Sequence, residues 1–123
     1  MNCISYVTHT TLFTRGIPAH IQRLLLNGYC ADNDFNVVFE QLEIEVMPHL
    51  PTLQHVIETP DTEGVVLFST YSLPDEPDLR AHILDLALEH GVALYFANEL
   101  EELRTPEDRA RIDRILSFGS IAA

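Results

Sequence analysis

Hydrophobic and polar positions along this chain change period several times, and each change marks an element. Residues 3–8, Cys-Ile-Ser-Tyr-Val-Thr, are rich in β-formers and predict a first strand. His9-Thr10-Thr11 follow as a polar loop, and Gly16 and Pro18 punctuate the chain before a helix whose first turn accepts Pro18. Ile17, Ile21, Leu24 and Leu25 recur at helical spacing up to Asn27-Gly28, which predicts the helix end there. Ala31 to Asp34 predicts a turn, and Phe35 to Glu40 a second strand. Beyond it Leu42, Ile44 and Val46 alternate with Gln41, Glu43 and Glu45, so an exposed extension of the strand or a loop reaches Met47. Pro48 and Pro51 close that segment, and Pro51 opens a short helix, Thr52 to Glu58.

The second half is punctuated more sharply. A turn-prone Thr59-Pro60-Asp61-Thr62-Glu63-Gly64 leads into the unbroken apolar run Val65-Val66-Leu67-Phe68. A short run without polar alternation predicts a strand covered on both faces, as in the middle of a parallel sheet. It ends in Ser69-Thr70-Tyr71-Ser72, where the side chains turn hydroxylated. In open α/β sheets ligands gather just past the C-terminal ends of strands, so this edge is where a site belongs. Pro74 and Pro77 then break the chain, and Asp78 caps a helix from Leu79 to His90 with the stripe Leu79, Ile83, Leu86, Ala87 and a stop at Gly91. Val92 to Phe96 predicts a further buried strand. After Asn98 to Leu103, Thr105-Pro106-Glu107-Asp108 supplies a cap, a first-turn proline and first-turn acids for a last helix. That helix carries Ile112, Ile115 and Leu116 on one face and is expected to end near Phe118-Gly119.

The order is therefore βαβαβαβα in 123 residues, one domain without repeats. Alternating strands and helices imply a mainly parallel sheet in a three-layer α/β/α domain. A hydrophobic content of 46% fits a compact fold and excludes a disordered chain. No apolar run approaches the roughly 20 residues that span a bilayer, and Met1 to Ser5 lacks the basic start and apolar core of a signal peptide. Cys3 and Cys30 are too few and too far apart for a disulfide scaffold or a zinc site, which implies a cytoplasmic protein with two buried, reduced thiols.

Charge sharpens the picture. Nineteen acids face seven basic residues, giving a net −12, and all seven basic residues are arginine. Phosphate binding depends on Lys and Arg displacing counterions, so direct binding to nucleic acid or to an acidic membrane is excluded as the expectation for this chain alone.

Several local stretches resemble the catalytic domain of the serine recombinases, the resolvase and invertase family, over roughly residues 4–116. Ile4-Ser5-Tyr6-Val7-Thr8-His9-Thr10 falls where that family has a strand ending in Tyr-x-Arg-Val-Ser. Ile21-Gln22-Arg23-Leu24 is similar to its first helix, which commonly carries a Gln near the start. Leu50-Pro51-Thr52-Leu53 stands where the family has Arg-Pro-x-Leu, and the stretch from Val65 to Leu73 where a strand runs into Asp-Arg-Leu-x-Arg. His90-Gly91-Val92-Ala93-Leu94 resembles the Gly-Val-x-Leu start of its fourth strand, and Glu99 to Pro106 its acidic link into a long last helix. The resemblance implies a four-stranded sheet in the order 2-1-3-4 and a single resolvase-like domain over residues 1–123. It places the end of the chain where the family's DNA-crossing arm and DNA-binding domain would follow, so no such domain is expected.

The chemistry of the family is not carried over with its scaffold. There a serine attacks a DNA phosphate while arginines hold the developing charge. Here the nucleophile position falls on Thr10 and the preceding arginine on Thr8. The Arg-Pro arginine is Leu50, and the Asp-Arg-Leu-x-Arg element places Tyr71, Ser72 and Asp75 at the acid and the two arginines. These residues with His9 define a vestigial crevice, and no catalytic residue, metal or cofactor is expected. Three functions remain open on the sequence: a non-catalytic protein-binding or homo-oligomerising module using Ile112, Ile115, Leu116 and Phe118; a small-ligand site or enzyme using the hydroxyl-rich crevice with Thr10, His9 and Tyr71; and an acidic decoy of a nucleic-acid-binding protein. Histidine pairs lack metal-ligand spacing, Glu43 and Glu45 read as a solvated edge, and Glu99-Glu101-Glu102 as an exposed charged rim.

Overall fold

The computed structural model describes residues 1–8, 17–43 and 47–122, with side chains described through Ser117. Four strands run parallel: β1 (Asn2–Thr8), β2 (Asn36–Glu43), β3 (Gly64–Leu67) and β4 (Ala93–Phe96). A fifth, β5 (Glu101–Leu103), pairs antiparallel with β4, so the sheet order is β2-β1-β3-β4-β5. The α/β class and the order 2-1-3-4 are as the sequence implies, and the strand count is corrected from four to five. Leu100 takes a left-handed φ of 57°, which reverses the chain after β4 and lays Leu103, fully buried, across from Leu94. Three residues are too few to show a period, which is why the segment reads as a link.

Val65, Val66 and Leu67 have no solvent exposure and lie between β1 and β4, as an apolar run without alternation requires. Against one face of the sheet lies α1 (Ala19–Asp32), whose Leu26 and Cys30 pack with Cys3, Val7 and Val66. Against the other lie α2 (Pro51–Glu58), α3 (Pro77–Glu89) and α4 (Pro106–Ala122), around a larger core that includes Tyr6, Leu67, Phe96, Leu53, Ile83 and Ile112. Both cysteines are buried free thiols, and burial pushes the Cys3 thiol up to about 11.

Several local expectations are corrected. The first helix does not stop at Asn27-Gly28, because the buried stripe Gln22, Leu26, Cys30 continues its period through an exposed glycine to Asp32. That stripe leaves Ile21, Leu24 and Leu25 on the outside, with Leu24 68% exposed. The third helix begins at Pro77 and is capped by Glu76, whose carboxylate accepts from the Leu79 N–H at 2.9 Å, in place of Asp78. Gly91 ends it with φ 65°, as expected. The last helix runs on to Ala122, past the expected end near Phe118-Gly119, and Arg111 pairs with Glu101 and Asp108, both within 2.9 Å. Arg109 and Asp113, one turn apart on the same helix, pair at 3.3 Å.

Candidate functional site at the strand C-termini

Residues from β1, β2, β3 and the start of α2 meet at the C-terminal edge of the sheet. Tyr6 is opposite Leu67 in the β1–β3 register, so Thr8 stands level with the residues that follow β3, and on its other side Thr8 is opposite Glu43. The end of β1 is held by Gln22, which is fully buried. Its Nε2 donates to the Thr8 carbonyl at 3.0 Å and to the Ile17 carbonyl at 2.9 Å, while its Oε1 accepts from the Thr8 N–H at 3.4 Å. The amide thus ties the end of the strand to the start of the helix.

Beside Thr8, Glu43 is 3% exposed, which overturns the solvated edge expected of it. Its carboxylate accepts from the Tyr6 hydroxyl at 2.9 Å and from the N–H groups of Thr52 and Leu53 at 3.2 and 3.3 Å. It therefore occupies the N-terminus of α2, where unpaired amides and the helix dipole favour an anion. Burial, and then the neighbouring Glu43 charge, push the Tyr6 phenol well above its ordinary value, so it stays a donor. Leu50 leads into the helix in a left-handed conformation, φ 51° and ψ 68°, with no exposure.

Past β3, Ser69 opens a 3₁₀ turn, Thr70–Ser72, by accepting the Tyr71 N–H at 3.1 Å. Its own hydroxyl donates to Glu99. Thr70 gives the same carboxylate its N–H at 3.1 Å and its hydroxyl at 2.9 Å. Glu99 is half-buried, so the expected exposed rim is corrected: this acid is folded back onto the crevice. Ser72 is 1% exposed and its Oγ has no hydrogen-bond partner among the described residues. Tyr71 is half-buried against the main core, whereas Asp75 is exposed and its carbonyl accepts from Arg80 at 3.4 Å.

Of the residues the sequence assigned to this edge, Thr8, Leu50, Tyr71 and Ser72 are part of its packed surroundings; His9 and Thr10 lie outside the described residues. On the last helix, Ile112 and Leu116 belong to the chain's own core, Ile115 is half-buried, and the side chain of Phe118 lies outside the described residues. The sequence reading missed Glu43 and Glu99 as parts of the site. For Glu43 the available signal was its place in the apolar–polar alternation from Gln41 to Val46, just ahead of Pro51 and the start of a helix; for Glu99 there was none. No group of three metal-ligating side chains occurs among the described residues. Four described arginines are tied to acids of the chain itself: Arg23 to Glu40, Arg80 to Asp113, Arg109 to Asp85, and Arg111 to Glu101.

No family model and no curated protein matches the sequence. Solved structures do match the fold. The N-terminal catalytic domain of TP901-1 integrase superposes with a TM-score of 0.73 at 15% identity, covering 98% of this chain and 94% of that one. A resolvase family site-specific recombinase from Streptococcus pneumoniae gives 0.74 at 13% identity, covering 99% and 89%. The C-terminal catalytic domain of ISC1926 TnpA, an IS607-like serine recombinase, gives 0.63 at 11% identity, covering 98% and 99%. The chain has the resolvase-like fold of serine recombinase catalytic domains.

Proposed function

We propose that this domain keeps the recombinase scaffold without its chemistry and serves as a protein-binding or self-associating regulatory module. The observation that carries this reading is occupancy of the site by the chain's own acids. Where a DNA phosphate would have to be held, the α2 amides are taken by Glu43 and the Thr70 amide by Glu99. Two carboxylates at such an edge repel a phosphodiester instead of stabilising charge developing on it. The structural neighbours are catalytic domains by name. By the resemblance, Thr8, Leu50, Ser72 and Asp75 fall where the family's arginines would do that work. The same occupancy takes the neighbouring Ser69 and Thr70 hydroxyls away from a small ligand, while of the groups named for that reading Thr10 and His9 lie outside the described residues.

The surface left for association is apolar. Val37, Val38 and Phe39 lie consecutively on edge strand β2 and are 39%, 51% and 46% exposed, in a chain of net charge −12. Two measurements test the proposal. Incubation with supercoiled plasmid, followed by denaturing electrophoresis, is expected to give neither nicking nor a covalent protein–DNA adduct. Light scattering over a concentration series is expected to show mass rising with concentration. An adduct abolished by Thr10→Ala would overturn the non-catalytic reading; a strict monomer would overturn self-association.

A further inference from the structure

On the α1 side of the sheet, along β4 and β5, lies a concavity of about 460 Å³ lined by Tyr29, Phe35, Tyr95, Leu100, Glu102 and Arg104, among others. It arises from the helix layout. α1 packs over β1 and β3, and the same face of β4 and β5 continues beyond it, carrying Tyr95 and, directly opposite in register, Glu102. Arg104, two residues on, belongs to the same side by strand alternation. Three aromatic rings form the wall. Tyr29 meets Phe35 at 6.0 Å and 64°, and Phe35 meets Tyr95 at 4.7 Å and 51°, so the rings are tilted to one another and not stacked flat. Gly64 sets the Tyr95 ring in place: a Cβ there would lie 3.0 Å from Tyr95 Cε2.

The charges at this concavity are unspent. Glu101 is paired with Arg111, but among the described residues neither the Glu102 carboxylate nor the Arg104 guanidinium makes an ion pair or side-chain hydrogen bond. Burial raises both phenols, Tyr29 and Tyr95, and the nearby Glu102 charge adds to the rise at each, while at Tyr95 the Arg104 guanidinium opposes it more strongly than Glu102 supports it. Tilted aromatic faces beside one carboxylate attract a cation. A primary ammonium has three donors to satisfy, whereas an alkylated one has few or none, and aromatic walls suit the latter. Arg104 offers the complementary contact for an anionic group.

We infer that this concavity binds a small zwitterion, an alkylated ammonium held by the Tyr29, Phe35 and Tyr95 rings and Glu102, with its carboxylate on Arg104. The site is independent of the C-terminal edge and of the reading given to it. The test is a titration of the full chain with glycine betaine followed by NMR of the backbone amides and aromatic protons. A thermal shift is unsuitable, because such osmolytes stabilise any protein by exclusion from its surface. Saturable shifts at Tyr29, Phe35 and Tyr95 are expected, with binding weakened about fivefold in Glu102→Gln and in Arg104→Gln. Unchanged spectra away from residues 100–104 would show that each variant is folded. Tetramethylammonium and acetate, which carry one charge each, are expected to bind more weakly than glycine betaine. Shifts that do not saturate, shifts indifferent to both variants, or tetramethylammonium binding as well as glycine betaine would each overturn the assignment.

Discussion

The Glu99 carboxylate accepts both the N–H and the hydroxyl of Thr70, at 3.1 and 2.9 Å, so the turn that follows the central strand is closed from within by an acid of the next loop. Glu99→Ala removes every acceptor at once and leaves the Ser69 and Thr70 donors, both buried, without partners. Each unsatisfied buried donor costs about 1–3 kcal/mol, so with three stranded, urea unfolding is expected to show a loss of at least about 3 kcal/mol. Glu99→Gln keeps one acceptor oxygen and is expected to lose less.

Tyr6 and Glu43 form the corresponding pair across β1 and β2. Tyr6→Phe removes one hydrogen bond to a charged acceptor and is expected to cost about 1.5–3 kcal/mol. Glu43→Ala also uncaps α2 and strands the Tyr6 hydroxyl, so it should cost more than Tyr6→Phe. In the double variant the stranded hydroxyl is gone, and the two losses are expected to sum to more than the combined effect; additive losses in a double-mutant cycle would contradict the shared network.

Leu50 offers a backbone test. It is fully buried in a left-handed conformation, so Leu50→Ala loses packing worth about 2–5 kcal/mol while keeping the strain. Leu50→Gly loses the same packing but relieves a left-handed penalty of roughly 1–2 kcal/mol. The glycine variant is therefore expected to be the more stable of the two, the reverse of the usual order, by equilibrium denaturation.

The Cys3 thiol gives a pH dependence. Burial raises it from 9.0 to about 11 in the fold, so between those values the unfolded chain has lost the proton and the folded chain keeps it. Its contribution is fully present below pH 9 and falls away as pH rises to about 11. Cys3→Ala is expected to lose about 1–2 kcal/mol less than the parent between the two ends, the raised Cys30 thiol and tyrosine phenols keeping the rest of the dependence.

The sequence carried the parallel core well because its signal is local. Val65 to Leu67 has no polar alternation, and Gly91 and Thr105-Pro106 mark helix ends by their own backbone preferences. Where the reading failed, the deciding contact was distant in sequence. Gln22 faces inward because Thr8 offers it a strand end, and Ile21, Leu24 and Leu25 face outward as a consequence. Glu99 looks like one of several surface acids until β3 and β4 are side by side, when it reaches Ser69 and Thr70 thirty and twenty-nine residues back. The resemblance pointed to this edge of the sheet. It said nothing of the two acids that now fill it.

The central claim is that the chain's own carboxylates occupy the groups a phosphate would need. A titration of the isotope-labelled chain with a dinucleotide phosphodiester at low salt, read at the amides of Thr52, Leu53 and Thr70, tests it most directly. The account predicts no saturable shift at these three amides. A saturable shift there, with Glu43 or Glu99 displaced, would contradict it.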